Sequence, residues 1–165
     1  MYKHIVTHYD SSNVPYAEMV YKAMSAKEKR AIYGGEKPDT TLYNKDNFKA
    51  MPSCRMYSDI VFDNDKTPIA FLDVWYAGKN VDIHESLGDI IIGVIPKYQG
   101  KGVATETVKH LLRWFNKQTD INTLTWGATT DNEASINLAI KCNFKYRKFN
   151  KKKQMLLFDY KKEVK

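Results

Sequence analysis

No stretch of the sequence approaches the ~20 apolar residues that a membrane-spanning helix requires, which argues against a membrane protein. The opening residues Met1-Tyr2-Lys3-His4-Ile5-Val6-Thr7-His8 are too polar for the apolar core of a signal peptide. Cysteine is scarce. Cys54 and Cys142 could form one disulfide at most, and with nothing pointing to export they read as reduced thiols of a cytoplasmic protein. No linker, internal repeat or low-complexity stretch interrupts the chain, so its 165 residues read as a single domain over 1–165, long enough to bury a continuous core. Apolar residues at 43% and charged residues at 27% lie near globular averages, which excludes wholesale disorder.

What is there begins with charge. The net +7 is uneven: residues 101–165 hold 14 Lys and Arg against 6 Asp and Glu, while residues 51–100 hold 4 against 7. A basic C-terminal part suits a polyanionic partner, either a nucleotide cofactor or a nucleic acid, and equally suits a solvated basic surface. No RNA-binding strand signature, zinc-finger spacing or basic heptad helix accompanies it.

The elements follow from period and punctuation. Residues 2–8 alternate as a first strand, and Ser11, Ser12 and Asn13 supply turn and capping chemistry for a helix over about 14–24. Ser25-Ala26-Lys27-Glu28 fits a capping box for a short second helix that stops near Gly34-Gly35, with a loop over 36–53. Arg55–Asp63 and Pro68–Tyr76 flank Asn64-Asp65-Lys66-Thr67 as a hairpin. A third strand runs from Asp89 to Ile95, and its unbroken Ile90-Ile91-Ile92 suits an interior strand covered on both faces.

The period then changes. Val108, Leu111, Leu112 and Phe115 stand at i, i+3, i+4 and i+7, one stripe of a helix over about 102–117. Asn122–Ala128 reads as another strand. Asn132 caps a helix running to about Cys142, and Asn143 takes the left-handed turn that ends it. Phe144–Phe149 and Gln154–Tyr160 form a last hairpin around three lysines. Strand–helix–strand–helix across 89–143 implies one parallel crossover in an otherwise antiparallel sheet, a mixed α/β fold.

Between the third strand and its helix lies Pro96-Lys97-Tyr98-Gln99-Gly100-Lys101-Gly102. Two glycines and a helix N-terminus make a site for a phosphate or pyrophosphate. A Walker loop would need glycine at Ile95 and Ser or Thr after Lys101, and a dinucleotide fingerprint would need glycine at Thr105. Both patterns fail. The residues alone fit either a phosphate loop of another kind or an empty glycine-rich turn.

Gln99-x-x-Gly102-x-Ala104, after a strand ending Val94-Ile95-Pro96, resembles the acyl-CoA loop of the GNAT N-acetyltransferase superfamily. A second motif agrees: Asn132-x-x-Ser135-x-x-Leu138-x-x-Lys141-x-Asn143-Phe144 is similar to the branch that includes ribosomal-protein N-terminal acetyltransferases. The resemblance covers about residues 68–160. It implies a mostly antiparallel sheet with a central splayed parallel strand pair, flanked by helices. It also implies acetyl-CoA or CoA as cosubstrate, with no metal, and transfer of an acetyl group to a primary amine by direct attack in a ternary complex.

Residue by residue, the resemblance implies that backbone amides of Gln99, Gly100, Lys101, Gly102, Val103 and Ala104 bind the pyrophosphate. The strand containing Ile92, Gly93 and Val94 would pair with the pantetheine arm, and glycine inside a strand marks a bulge or a close backbone approach. Asn132 matches a position that hydrogen-bonds the CoA arm, with Ser135 one helical turn further on. Many members carry a tyrosine general acid seven residues after that Asn, and Ala139 stands there. Ser135 is the nearest substitute, unless it serves capping or packing. Asp89 matches the place of a base in several relatives. The alternative is a strand-end Asp satisfied by turn amides, and His84 and Glu85 stand in reserve.

The remaining residues say less. Cys142 has no His nearby in sequence and sits at a helix C-terminus, which disfavours a thiolate, so it reads as buried and structural. His4, His8, His84 and His110 show no metal-ligand spacing. Lys97 and Lys101 could neutralise phosphates, whereas Lys151, Lys152 and Lys153 suit a solvated hairpin tip. The resemblance implies an amine-bearing small molecule or a protein or peptide amine as acceptor. Tyr16, Glu18, Tyr21, Tyr33 and Tyr43 are enough to line its pocket, or else pack ordinary helices. A non-catalytic acyl-CoA-sensing or protein- or nucleic-acid-binding module stays open, as do a monomer or a homodimer.

Overall fold

Seven strands form one sheet: β1 (Lys3–Thr7), β2 (Arg55–Phe62), β3 (Pro68–Asn80), β4 (Glu85–Val94), β5 (Thr123–Thr129), β6 (Lys145–Asn150) and β7 (Met155–Lys161), in the order β1-β2-β3-β4-β5-β7-β6. The computed structural model describes residues 2–10, 12–32, 55–80, 85–118 and 121–162. Ser11, Tyr33, the stop at Gly34-Gly35, the loop over 36–53 with Tyr43, Cys54 and His84 lie outside the described residues. Every neighbouring pair is antiparallel except β4–β5, the parallel pair that the crossover requires. Among the described residues the helices are α1 (Val14–Ala23), α2 (Ala26–Ile32), α3 (Val103–Phe115) and α4 (Glu133–Lys141).

Two apolar clusters cover the two faces of the sheet. On one, Val108, Leu111 and Phe115 of α3 and Ala139 of α4 pack with Leu72, Val74, Leu124 and Trp126. On the other, Val14, Ala17, Val20 and Tyr21 of α1 pack with Ile60 and Phe71. This explains the isoleucine run: Ile90 and Ile92 join the α3 face while Ile91 joins the α1 face. Side chains alternate across a strand, so a strand covered twice has no polar position to spare. Val108, Leu111 and Phe115 of the predicted α3 stripe are buried and Leu112 is partly so, each full burial worth about 1.5–3 kcal/mol.

Several boundaries move for physical reasons. β3 continues to Asn80, past a register shift between Tyr76 and Gly78, because β4 begins at Glu85 and pairs along that extension. Asp89 is therefore mid-strand, opposite Trp75 on one side and Thr125 on the other, and the strand-end reading is removed. Asn13 occupies the N-cap of α1 without capping it. Its amide donates instead to the Ile5 carbonyl at 3.0 Å and the Ser58 carbonyl at 3.3 Å, pinning the helix start to β1 and β2. Half of the Ser25 box forms: the Glu28 amide donates to Ser25 Oγ at 3.2 Å, while Glu28 Oε1 accepts from the Ser25 hydroxyl at 2.9 Å in place of the Ser25 amide. Asn143 ends α4 at φ 67°, and Lys151–Lys153 stand exposed in the β6–β7 turn.

Arg55 and Asp73 are buried together between β2 and β3, with Nε 3.5 Å from Oδ2. Burial pushes the Asp73 carboxyl up to about 6, against the pull of the Arg55 guanidinium. Cys142 is a buried free thiol, its pKa raised by burial, as suits a structural role.

Gly93 pairs in register with Phe71, so it marks no bulge; the close approach comes from side chains. A Cβ there would stand 2.5 Å from Phe71 Cε1 and 2.8 Å from Met24 Sδ. Gly93→Ala is therefore expected to destabilise the protein by about 1–3 kcal/mol, read as a lower urea midpoint with unchanged slope.

Candidate active site

β4 and β5 pair for only three residues, Leu87, Gly88 and Asp89 against Thr123, Leu124 and Thr125, and then part. The parted edge of β4 is chemically open. The Ile95 amide donates to the Ile69 carbonyl at 3.0 Å, so Val94 and Ala70 form a pair with no hydrogen bonds between them. By alternation Ile92 likewise turns its backbone groups away from β3, into the gap. The Gln99 amide side chain donates to the Val94 carbonyl at 3.0 Å, which leaves the Val94 N–H and both backbone groups of Ile92 to a ligand.

That edge runs straight into the glycine loop. Gly100 at φ 72° and Gly102 at φ 82° both take left-handed backbone, and a Cβ at either would meet nothing within 4 Å. Conformation, not space, selects glycine here. Gly102 is the N-cap of α3, and the first intrahelical bond runs from the Glu106 amide to the Gly102 carbonyl at 3.0 Å. The amides of Val103, Ala104 and Thr105 are thus free at the positive end of a helix dipole. A short helical turn, Pro96–Tyr98, holds the loop from below. The Tyr98 hydroxyl donates to Asp63 Oδ2 at 2.6 Å, lowering the Asp63 carboxyl and raising the phenol to about 12.

The opposite wall is α4. Asn132 Oδ1 accepts from the Ser135 amide at 3.2 Å, which fixes the first turn. Trp126 Nε1 donates to Ser135 Oγ at 2.9 Å, so the serine hydroxyl has its own proton to give and is polarised toward giving it. Ala139, at the place of the family tyrosine, is fully buried in the core; Leu138 faces the gap instead.

The gap is a cleft of about 400 Å³. Ile92, Gly93, Val94, Gln99, Gly100, Gly102, Val103, Ala104, Asn132 and Ser135, all expected from sequence, line it together. Lys101 does not: its ammonium lies 5.6 Å from the centre of the Tyr98 ring, and Lys97 lies 5.5 Å from the same ring. Asp89 is also outside the lining, two residues beyond Ile91 on the same strand face. Its side chain meets solvent, yet surrounding protein pushes its carboxyl above the usual range, against Lys153 and Arg147.

Sequence reasoning missed the near wall. Met24 and Glu28 line the cleft, whereas Tyr16, Glu18 and Tyr21 do not. Glu28 is the one charged side chain among the described lining residues, and its Oε2 is buried without a hydrogen-bond partner there. The capping box at Ser25 was the available signal, because it fixes which way Glu28 points.

Residues 15–145 match the model of the acetyltransferase (GNAT) domain, and the chain belongs to that family of acyltransferases. Its fold matches the GNAT domain of S. lividans PAT (TM-score 0.73, 12% identity, 94% of this chain and 89% of that one). It also matches the ribosomal-protein-S5-alanine acetyltransferase from Vibrio fischeri (0.69, 15%, 97% and 93%). A third match is the spermidine N-acetyltransferase from Vibrio cholerae in complex with CoA and spermine (0.68, 14%, 96% and 95%). No curated protein matches the chain in a sequence search.

Gly102→Ala forces a side chain into left-handed backbone at the helix cap. It is expected to cost about 1–2 kcal/mol in urea unfolding while leaving the packing around it unchanged.

Proposed function

We propose that the protein is an N-acetyltransferase that passes the acetyl group of acetyl-CoA directly to a primary amine, both substrates being bound at once. The observation that carries this reading is the parting of β4 from β5 into the Gly100–Gly102 loop. It provides an outward-facing strand edge for an amide-bearing arm, continuous with a helix mouth for its phosphates. In this reading the amides from Gln99 to Ala104 grip the pyrophosphate, and Ile92 and Val94 pair with the pantetheine. The Asn132 amide nitrogen, not used in capping, donates to the same arm. The cosubstrate supplies the activated thioester, and no metal takes part.

The chain's own residues then handle protons. A lysine-like amine, of pKa ~10.4, must lose one before it attacks the thioester carbonyl. Asp89 takes it through water, its raised pKa making it a better base than an ordinary aspartate. As the C–S bond breaks, the Ser135 hydroxyl, already accepting from Trp126, donates toward the leaving thiolate. A thiol of pKa ~8.5 leaves readily, so the contribution needed from Ser135 is small. Holding amine and thioester in line supplies much of the rate, since effective molarities reach ~10⁵ M or more.

Glu28 gives the acceptor its character. A carboxylate in the cleft wall, one oxygen of which has no hydrogen-bond partner among the described residues, favours a cationic amine, small or peptide-borne, over a neutral one. The neighbouring structures named for spermidine and for a ribosomal-protein alanine support those two acceptor classes; a nucleic-acid substrate has only the basic C-terminal part behind it. The protein works as one domain in a reducing, cytoplasmic setting, as a monomer or homodimer.

Calorimetry with acetyl-CoA is expected to show one site per chain, weakened by Gly102→Ala; absence of binding to folded protein would remove the reading. Asp89→Asn should retain that binding and lower kcat by about 10²-fold or more, and full activity would exclude Asp89 as base. Glu28→Gln should raise KM for the amine while leaving KM for acetyl-CoA unchanged, measured by thiol release across amine classes.

A further inference from the structure

On the α3 face of the sheet, away from the cleft lining, three ligating side chains converge from distant parts of the chain. His4 comes from β1, while Glu106 and His110 come from successive turns of α3. One imidazole nitrogen from each His and one Glu106 carboxylate oxygen lie within 4.8 Å of one another. The His4 and His110 ring centres are 4.2 Å apart. Glu106 and His110 share a helix face because they stand at i and i+4, a spacing that suits paired metal ligands on a helix.

Behind them, fully buried Asp59 on β2 accepts from His4 Nδ1, Oδ2 to Nδ1 being 2.9 Å. With that proton directed at the carboxylate, the free lone pair of His4 is on Nε2. His4 Nε2 is buried and has no hydrogen-bond partner among the described residues, in a side chain only 10% exposed. A carboxylate that fixes the tautomer of a histidine, whose other nitrogen then has no partner, is the arrangement that commonly orients a metal-ligating imidazole. Charge agrees. Asp59 and Glu106 face Arg113, which leaves a surplus of negative charge around the two histidines.

We propose that His4, Glu106 and His110 bind one divalent transition-metal ion of the zinc or cobalt(II) class. Two imidazoles and a carboxylate suit a borderline ion, with water completing a four-coordinate shell. Ligands about 2.0–2.1 Å from zinc stand roughly 3.4 Å apart, a spacing within reach of small side-chain rotations from the present arrangement, and Glu106 is exposed. The ion ties edge strand β1, which among the described residues pairs with β2 alone, to the helix whose N-terminus carries the glycine loop. It is a clamp. Its role is separate from acyl transfer.

The test uses full-length protein without a polyhistidine tag, titrated with cobalt(II) and followed by its visible d–d bands, then competed with zinc. One equivalent is expected to bind. The thermal midpoint should rise by roughly 5–10 °C when free zinc is about 100 times its dissociation constant. His110→Ala and Glu106→Gln, both on the outer flank of α3, should each weaken binding about tenfold or more while circular dichroism stays unchanged. His8→Ala, whose ring stacks on Trp114, should bind as the parent does. No binding at millimolar cobalt would overturn the site. So would binding that survives both α3 substitutions, or binding lost on His84→Ala alone.

Discussion

The site depends on a strand pair that stops early. β4 and β5 are hydrogen-bonded through Asp89 and Thr125 and no further, and everything chemically distinctive lies beyond that point. Had the pairing continued, the outward groups of Ile92 and Val94 would be used up within the sheet. An open strand edge inside a sheet would ordinarily be a liability, with backbone groups lacking partners. Here the gap is walled rather than flooded: Trp126 and Leu138 on one side and Met24 on the other give it apolar sides, and Gln99 satisfies the Val94 carbonyl. The sheet is held firm around the opening by antiparallel pairs on both sides, β3–β4 and β5–β7, each continuous over many residues.

Much of this was legible in the sequence, because the signals were local. The α3 stripe, the triple isoleucine, the Asn132 cap and the left-handed Asn143 each follow from side-chain period or backbone preference within a few residues. The two glycines of the loop announce their positive φ directly. Ten of the eleven residues expected to contact cofactor line one cleft: eight because strand edge, loop and the start of α3 are consecutive in the chain, and Asn132 and Ser135 because the parallel crossover brings α4 to the opposite wall. Lys101 is the exception, and its exposed chain lies along Tyr98 instead.

What the sequence did not disclose depends on partners far along the chain. Asp89 read as the start of a strand because Ser86 and Gly88 dilute the apolar pattern before it. Pairing with the β3 extension outweighs that local weakness. Asn13 has a strong capping preference and spends its side chain on two carbonyls of β1 and β2 instead. Ala139 aligned with a family tyrosine by counting, yet a helix turns 100° per residue, and Leu138 faces the cleft. The grouping of His4 with Glu106 and His110 is wholly tertiary; only the i, i+4 pair on α3 hinted at it.

The bond from Tyr98 to Asp63 carries a further consequence. It fastens the glycine loop to the turn between β2 and β3, within the rigid antiparallel part of the sheet. The entropy of ordering that loop is therefore spent when the protein folds, and a phosphate arriving later finds its donors already aimed. The near wall is arranged differently: Met24 and Glu28 reach the cleft from short helices outside the sheet. A donor half that is stiff and an acceptor half hung on replaceable helices let one chemical step be kept while its clientele drifts.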